Sequence, residues 1–474
     1  MSAEHSWLSH GALILSLLLL IHRSSHVCSV EALSASVTTK HQRQQNDIGI
    51  YVHIPYCRRR CRYCDFAIVP IGSSDNENSN DRRSQGFVQI DRIYRKSILD
   101  ELNLLQRHSK ATTVNVQSIY FGGGTPSLAP LETIAAILKR IQLAPCFLLD
   151  TLTEITMEMD PGTFSLEKLK ALKELGVNRI SLGVQSFDDG ILEQIGRVHR
   201  SIDIFQSLKM IQQVFGESPN YSIDLISGLP GVSLAKWVET LEQATQLCPK
   251  PTHLSLYDLQ VEAGTVFDKW YSDEQQQASS SLPAKFLPTP DDCAFMYKYS
   301  SGYLKAFGYH HYEISSYSLA GYRSRHNQIY WQPRATWYAV GLGATSNVNG
   351  TRYTRPRAMQ DYVDWVHGQQ ETTLPDWLVK DDSVDELDRF TDIIMTRLRT
   401  SDGLDLDFVA QMYGTDKVER ILKGAQLGID LELAQLLNSE EKSNYGLLRL
   451  KDPEGFLFSN SIISSIFVEI GVEC

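Results

Sequence analysis

"IGIYVHI", residues 48–54, runs through Pro55 into "YCRRRCRYCDF", residues 56–66, and this junction decides how the chain is read. The first run is β-branched and aromatic, the composition of a short strand. The second places Cys57, Cys61 and Cys64 in the spacing C-x3-C-x2-C. The other five of eight cysteines, Cys28, Cys146, Cys248, Cys293 and Cys474, are scattered, as small buried hydrophobes usually are. Soft thiolates this close together indicate a metal, either zinc or iron–sulfur. Structural zinc closes with four ligands, and only three are local here. His53 lies four residues before Cys57, inside the strand, where it reads as a core histidine. A cubane normally takes four cysteines. Three of them in an arginine-rich loop after a strand point to a [4Fe–4S] cluster with one iron open to another ligand.

The same alternation continues downstream. "NVQSIYF", "TEITMEM", "NRISLGV", "NYSIDLI" and "THLSLYDL" read as strands, and segments such as "PLETIAAILKRIQ", "SLEKLKALKELG" and "SLAKWVETLEQATQL" carry helical spacing between them. Six strands alternating with helices imply βα units and a parallel sheet. The unusual residues fall after each strand's last apolar residue: Cys57, "GGGTPS", Glu158 with Asp160, Gln185, and Gly228 to Gly231. In a full or partial (β/α) barrel, that edge is where loops converge on one site. A doubly wound sheet would also gather loops at its strand ends. Residues 48–290 are therefore expected to form the core. Residues 291–375 form an aromatic-rich extension, and residues 376–474 a mostly helical domain of winged-helix shape. Two polar stretches, 71–86 and 271–285, read as solvated insertions with little to add to a core.

Composition sets the class. An apolar fraction of 42% and a mean hydropathy of −0.22 are those of a globular protein with a substantial core. A net charge of −11 argues against broad nucleic-acid or anionic-membrane binding. Residues 1–47 read as an organelle-targeting presequence. "GALILSLLLLI" (11–21) is an apolar run of signal-peptide length, and the stretch behind it is rich in Ser, Thr and basic residues with Glu31 its only acid. That order fits a plastid reached through the secretory route, with a mitochondrial presequence as the alternative. Simple secretion fits worst, because an exposed thiolate cluster needs reducing surroundings.

The cysteine spacing, with Tyr63 before the last thiol, resembles the radical S-adenosylmethionine (SAM) superfamily, whose fold is a partial (β/α)6 barrel. The resemblance implies that SAM chelates the open iron, and that the protein orients it while the cofactor supplies the chemistry. "FGGGTPS" (121–127) matches the segment that binds the SAM amino group, which carries Gly123, Gly124 and Thr125 into the expected site. Tyr51, Tyr63, Glu158, Gln185, Arg197 and Asp224 match positions that line SAM sites in one branch, the oxygen-independent coproporphyrinogen III oxidases and the heme chaperones related to them. Taken alone, Glu158 is an ordinary surface carboxylate, Asp224 a hydrogen-bond hub and Tyr51 a core tyrosine. Gln185 can both donate and accept, and Arg197 can clamp a carboxylate with its fork.

Within that branch the chain leans to the chaperones. The oxidases carry a further cysteine where this sequence has Phe66. "HNQIYW" (326–331) matches the chaperones' H-N-x-x-Y-W segment, which makes His326 the expected heme ligand beside Tyr330 and Trp331. Read alone, His326 is a satisfied loop histidine. Thr345 stands where the family usually has a second histidine, and His310 and His311 are the candidates to replace it. The resemblance thus implies a binding protein for a [4Fe–4S] cluster, SAM and heme. Its partners would be apo-hemoproteins and an electron donor, with a homodimer as an open alternative. The competing reading is an enzyme that decarboxylates coproporphyrinogen III. A radical-SAM RNA modifier is disfavoured by the acidic charge.

Overall fold

The computed structural model describes residues 47–72, 82–108, 113–271, 287–333, 335–348, 350–370, 386–437 and 444–472. The presequence up to residue 46 and most of both polar insertions lie outside the described residues. Asp47–Cys474 forms one compact unit. All six expected strands are present: β1 (Asp47–Ile54), β2 (Val114–Gly123), β3 (Glu154–Met159), β4 (Arg179–Gln185), β5 (Tyr221–Ser227) and β6 (His253–Asp258). Each pairs in parallel with the next, so spatial order follows chain order without the reversal of a doubly wound sheet. The helices α1 (Arg82–His108), α2 (Leu131–Gln142), α3 (Leu166–Glu174), α4 (Ser201–Phe215) and α5 (Leu234–Thr245) occupy the connections.

Strand alternation separates two faces. One face of β1 is Ile48, Ile50, Val52 and Ile54, all in the main core with Tyr94 and Ile98 of α1 and Ile137 of α2. Burying one such side chain contributes roughly 1.5–3 kcal/mol. The other face is polar on strand after strand. It carries Gly49, Tyr51 and His53 on β1, then Ser118 and Tyr120 on β2, Glu154, Thr156 and Glu158 on β3, and Arg179 and Ser181 on β4. Ser222 and Asp224 on β5 and His253 and Ser255 on β6 continue it. A sheet whose helix-free face is polar encloses a site rather than a hydrophobic plug.

The extension widens this sheet on both sides. After α6 (Pro290–Ala306), the strands β7 (His310–Glu313) and β8 (Ser316–Ser318) form a hairpin that pairs with β6. At the opposite edge β9 (Thr336–Val340) pairs in parallel with β1, followed by the hairpin β10 (Thr345–Val348) and β11 (Thr351–Thr354). No pairing closes the two edges on each other among the described residues. The buried Glu101–Arg355 pair (2.8 Å) ties the β11 end to α1, and Glu101 also accepts from Gly341 N and Tyr362 OH.

A second apolar cluster, from Phe390 to Ile470, belongs to the C-terminal region. Its order is α7 (Glu386–Leu398), β12 (Leu404–Asp405), α8 (Leu406–Tyr413), α9 (Thr415–Asp430), β13 (Ala434–Leu437), β14 (Leu447–Leu450) and α10 (Ser459–Ile470), with an antiparallel three-stranded sheet. That is winged-helix order. A Cβ on Gly424 would lie 2.5 Å from Ile466 Cα, so α10 sits directly on α9. His311 joins this region to the sheet: its Nδ1 meets Asp452 Oδ1 at 2.5 Å and its ring stacks on Tyr317.

Candidate functional site

The loop after β1 is held by its own arginines. Arg58 donates to Gly162 O (3.1 Å), Arg59 to Gly196 O (2.8 Å), Arg62 to Gln194 O (2.6 Å), and Arg60 to Cys64 O (3.1 Å) and Phe66 O (2.8 Å). Four guanidiniums thus staple backbone carbonyls around Cys57, Cys61 and Cys64, so the arginine run shapes the loop. The three thiols line a cavity of about 440 Å³ at the C-terminal ends of the strands. Burial pushes the Cys57 thiol up to about 12 and raises Cys64 as well, so thiolates here need a compensating positive centre. Among the described residues no three ligands meet around a single ion. One tetrahedral zinc fits this poorly. A cubane fits it, because its cysteines bind different irons and need not converge on one point.

The glycine segment closes against this loop. Gly124 N donates to Ile54 O (2.8 Å) and Thr125 N to Tyr56 O (2.6 Å), locking the turn after β2 to the chain just before Cys57. Gly123 has φ 109°, and a Cβ there would lie 2.4 Å from the His53 ring. Only glycine fits. Thr125 Oγ1 sits 3.6 Å from Cys57 Sγ and donates to Asp160 Oδ2 (3.0 Å). Glu158 accepts from Tyr120 OH (2.7 Å) and Gly123 N (3.1 Å), and burial pushes its carboxyl up to about 7. Gln185 holds φ 65°, a left-handed conformation costly for a non-glycine residue, with its amide at the cavity wall. Asp224 lines the same cavity and accepts from Ser181 Oγ (3.1 Å). Burial raises its carboxyl.

Ten of the sequence-derived residues are therefore brought together: Cys57, Cys61, Tyr63, Cys64, Gly123, Gly124, Thr125, Glu158, Gln185 and Asp224 all line the cavity. Arg197 joins them, but its fork is engaged. Nη2 holds Asp160 and Gly183 O, and Nη1 reaches Cys61 Sγ at 3.8 Å. It bridges β3, β4 and the thiol loop instead of offering a free carboxylate clamp. Tyr51 stands one layer below the cavity lining, with its hydroxyl 3.2 Å from His53 Nδ1. His53 Nε2 meets Ala67 O at 2.7 Å, so this histidine secures the loop past Cys64. Sequence reasoning placed His53 in the core and did not assign Asp160, His199 or Asp258, all cavity-lining or loop-anchoring. Only Asp160, beside Glu158 at a strand end, carried a local signal.

His326 is not at this cavity. The short helix Arg325–Tyr330 closes the opposite, N-terminal end of the strands, where Arg325 N and His326 N donate to Glu154 Oε1 (3.1 and 3.3 Å). The His326 ring is 1% exposed and both its nitrogens are spent, on Ser118 Oγ (2.8 Å) and Tyr330 OH (2.8 Å). It stacks on Tyr120 at 4.9 Å, and Gly49 leaves it room: a Cβ there would approach the ring to 3.2 Å. His326, the heme ligand implied by the resemblance, thus lies away from the thiol cavity with both ring nitrogens hydrogen-bonded. Of the substitutes, His311 is buried against Asp452, and only His310 is exposed.

The chain is similar to known proteins over most of its length. Residues 51–244 match the Radical SAM superfamily. The protein named heme chaperone HemW from Synechocystis sp. is 35% identical over 432 residues, covering 89% of this chain and 96% of the relative. The Bos taurus protein named radical S-adenosyl methionine domain-containing protein 1, mitochondrial, is 36% identical over 297 residues, 62% of this chain and 60% of that one. Among solved structures, coproporphyrinogen III oxidase (HemN) from Escherichia coli superposes with a TM-score of 0.67 at 18% identity over 90% of this chain and 93% of that one, a likeness of fold. A three-thiol loop stapled over parallel strand ends and whole-length similarity to HemW coincide, and the chain belongs to the radical SAM superfamily, in its HemW branch.

Proposed function

We propose that the protein is a heme chaperone that carries a [4Fe–4S] cluster on Cys57, Cys61 and Cys64, binds SAM in the cavity above the strands, and delivers heme to apo-hemoproteins. The observation that carries this reading is the 35% identity to HemW across 96% of that relative's length. The donor set supports it: three thiols on one cavity wall, no single-ion geometry, and polar groups arrayed opposite. When bound, the cluster supplies a redox-active iron with a site for SAM. The chain's own residues do the rest. Glu158 presents a carboxylate for SAM's ammonium or ribose hydroxyls, Gln185 offers a donor and an acceptor, and Arg197 with Asp160 fixes the distance between the thiol loop and β3 and β4. Phe66, 61% exposed at the cavity rim, stands where the oxidases have a further cysteine.

Coproporphyrinogen III decarboxylation is the second reading, favoured by the HemN-like fold. One experiment separates them. The protein is reconstituted with iron and sulfide without oxygen, titrated with heme by absorbance, and incubated with coproporphyrinogen III, SAM and a reductant. Stoichiometric heme binding without porphyrinogen turnover supports the chaperone, and decarboxylated product overturns it. Iron loading that survives replacement of all three cysteines by serine would remove the cluster assignment. For location, no helix among the described residues is long and apolar enough to cross a membrane, and one relative is named mitochondrial. A fluorescent fusion of residues 1–47 is expected to reach a plastid or a mitochondrion.

A further inference from the structure

Among the described residues three arginines are buried, and two of them hold a carboxylate: Arg197 pairs with Asp160 and Arg355 with Glu101. Arg179 differs. It is 2% exposed on the polar inner face of β4, and among the described residues it holds none. Its Nε is buried without a hydrogen-bond partner. A guanidinium cannot shed its proton in a protein, so it must be compensated where it lies.

Its surroundings are polar and rich in donors. Arg179 stands two residues below Ser181 on the same face, and Ser181 lines the cavity. Ser181 Oγ and Ser222 Oγ are 2.8 Å apart, and Ser222 registers with His253 on β6. His253 is fully buried. Its Nε2 meets Tyr312 OH at 2.8 Å, and its Nδ1 has no partner. His253, level with Ser181 and Ser222, is thus a second orphaned nitrogen one step above Arg179, whose field reaches His253, Asp224 and Tyr120. Asp224, the acid between this level and the cavity, is held toward its neutral form by burial, which lowers the barrier to a second carboxylate nearby.

We propose that Arg179, with His253 and the Ser181 and Ser222 hydroxyls, forms a carboxylate-binding subsite on the floor of the inner face, reached from the cavity past Ser181 and Asp224. The fork of Arg179 supplies the charge-assisted donors that such a group takes. The proposal rests on the cavity being the ligand site. The carboxylate is a propionate of the porphyrin, because the amino-acid carboxylate of SAM is expected at the open iron beside the thiol loop.

The test uses the reconstituted full chain and one matched pair of ligands, heme against heme dimethyl ester. Heme is expected to bind at least tenfold more tightly than its ester, and Arg179→Gln is expected to erase that preference while leaving the ester's affinity unchanged. Arg179→Lys, which keeps the charge, should retain part of the preference. The wild-type comparison stands even if Arg179→Gln does not fold. Equal affinities for heme and its ester, or a preference that survives in Arg179→Gln, overturn the subsite while leaving the chaperone reading intact. Failure of both heme and ester to bind at all removes that reading and the subsite together.

Discussion

Lowering the pH from 7 to 5 should weaken the fold in part through His326, and His326→Gln should relieve that part. Desolvation is the main cause that pushes this imidazole down to about 3, with the nearby Arg179 charge adding to it. The unfolded chain carries a histidine near 6.5. Between these values the unfolded state binds a proton that the folded state refuses, so stability falls as pH drops below about 6.5. At pH 5 the difference amounts to roughly 2 kcal/mol for this residue, and at pH 7 to about 0.2 kcal/mol. Glutamine can keep hydrogen bonds to Ser118 and Tyr330 but does not titrate. Urea unfolding of the apo chain at the two pH values, followed by far-UV circular dichroism, should show a pH-dependent loss about 2 kcal/mol smaller in His326→Gln than in the wild type. An identical loss in both proteins would refute the reasoning, because it would mean that His326 already takes up its proton in the folded state.

Glu158, pushed up to about 7, is half protonated at neutral pH. SAM affinity should therefore fall as pH drops through 7, and in Glu158→Gln it should become flat and roughly tenfold weaker, a loss of about 1.4 kcal/mol, as read by calorimetry between pH 6 and 8.5. Gly123→Ala forces a Cβ to 2.4 Å from the His53 ring at φ 109° and should cost about 1–3 kcal/mol of stability. Gly368→Ala, on a helix with nothing within 4 Å, should be neutral or slightly stabilising in the same melt. Gln185→Gly releases the left-handed backbone and should stabilise the apo protein by about 1 kcal/mol while weakening SAM binding. A variant that lost stability would show that the Gln185 side chain holds the wall together.

The thiol loop, the six strands and the C-terminal helical region were legible because each is written locally. Spacing marks Cys57, Cys61 and Cys64, and alternation marks runs such as Ile48–Ile54. A strand's period says that it has two faces. It does not say which face meets helices, and here "IGIYVHI" turns its isoleucines outward and its Gly, Tyr and His inward. The surroundings of His326 were illegible for the same reason. Its partner Ser118 is 208 positions away, and no local pattern reveals that both ring nitrogens are already taken. Arg179 drew no notice because an arginine opening a strand reads as surface. Its interest arises only when the fold buries it beside His253 and gives neither a full set of partners.

These observations bear on how the H-N-x-x-Y-W segment contributes. A histidine that is 1% exposed and doubly hydrogen-bonded can ligate iron only after its helix leaves the strand ends, which breaks its hydrogen bonds with Glu154, Ser118 and Tyr330 together. As it stands, the segment instead props the stack from His326 through Tyr120 to Glu158, whose carboxylate faces the cavity at the far end. Disturbing His326 should therefore be felt first at Glu158, as a change in how SAM binding depends on pH. Heme affinity should follow only if the helix opens. A His326 variant that lost heme while its SAM profile stayed unchanged would reverse that order and show that the floor opens to meet the macrocycle.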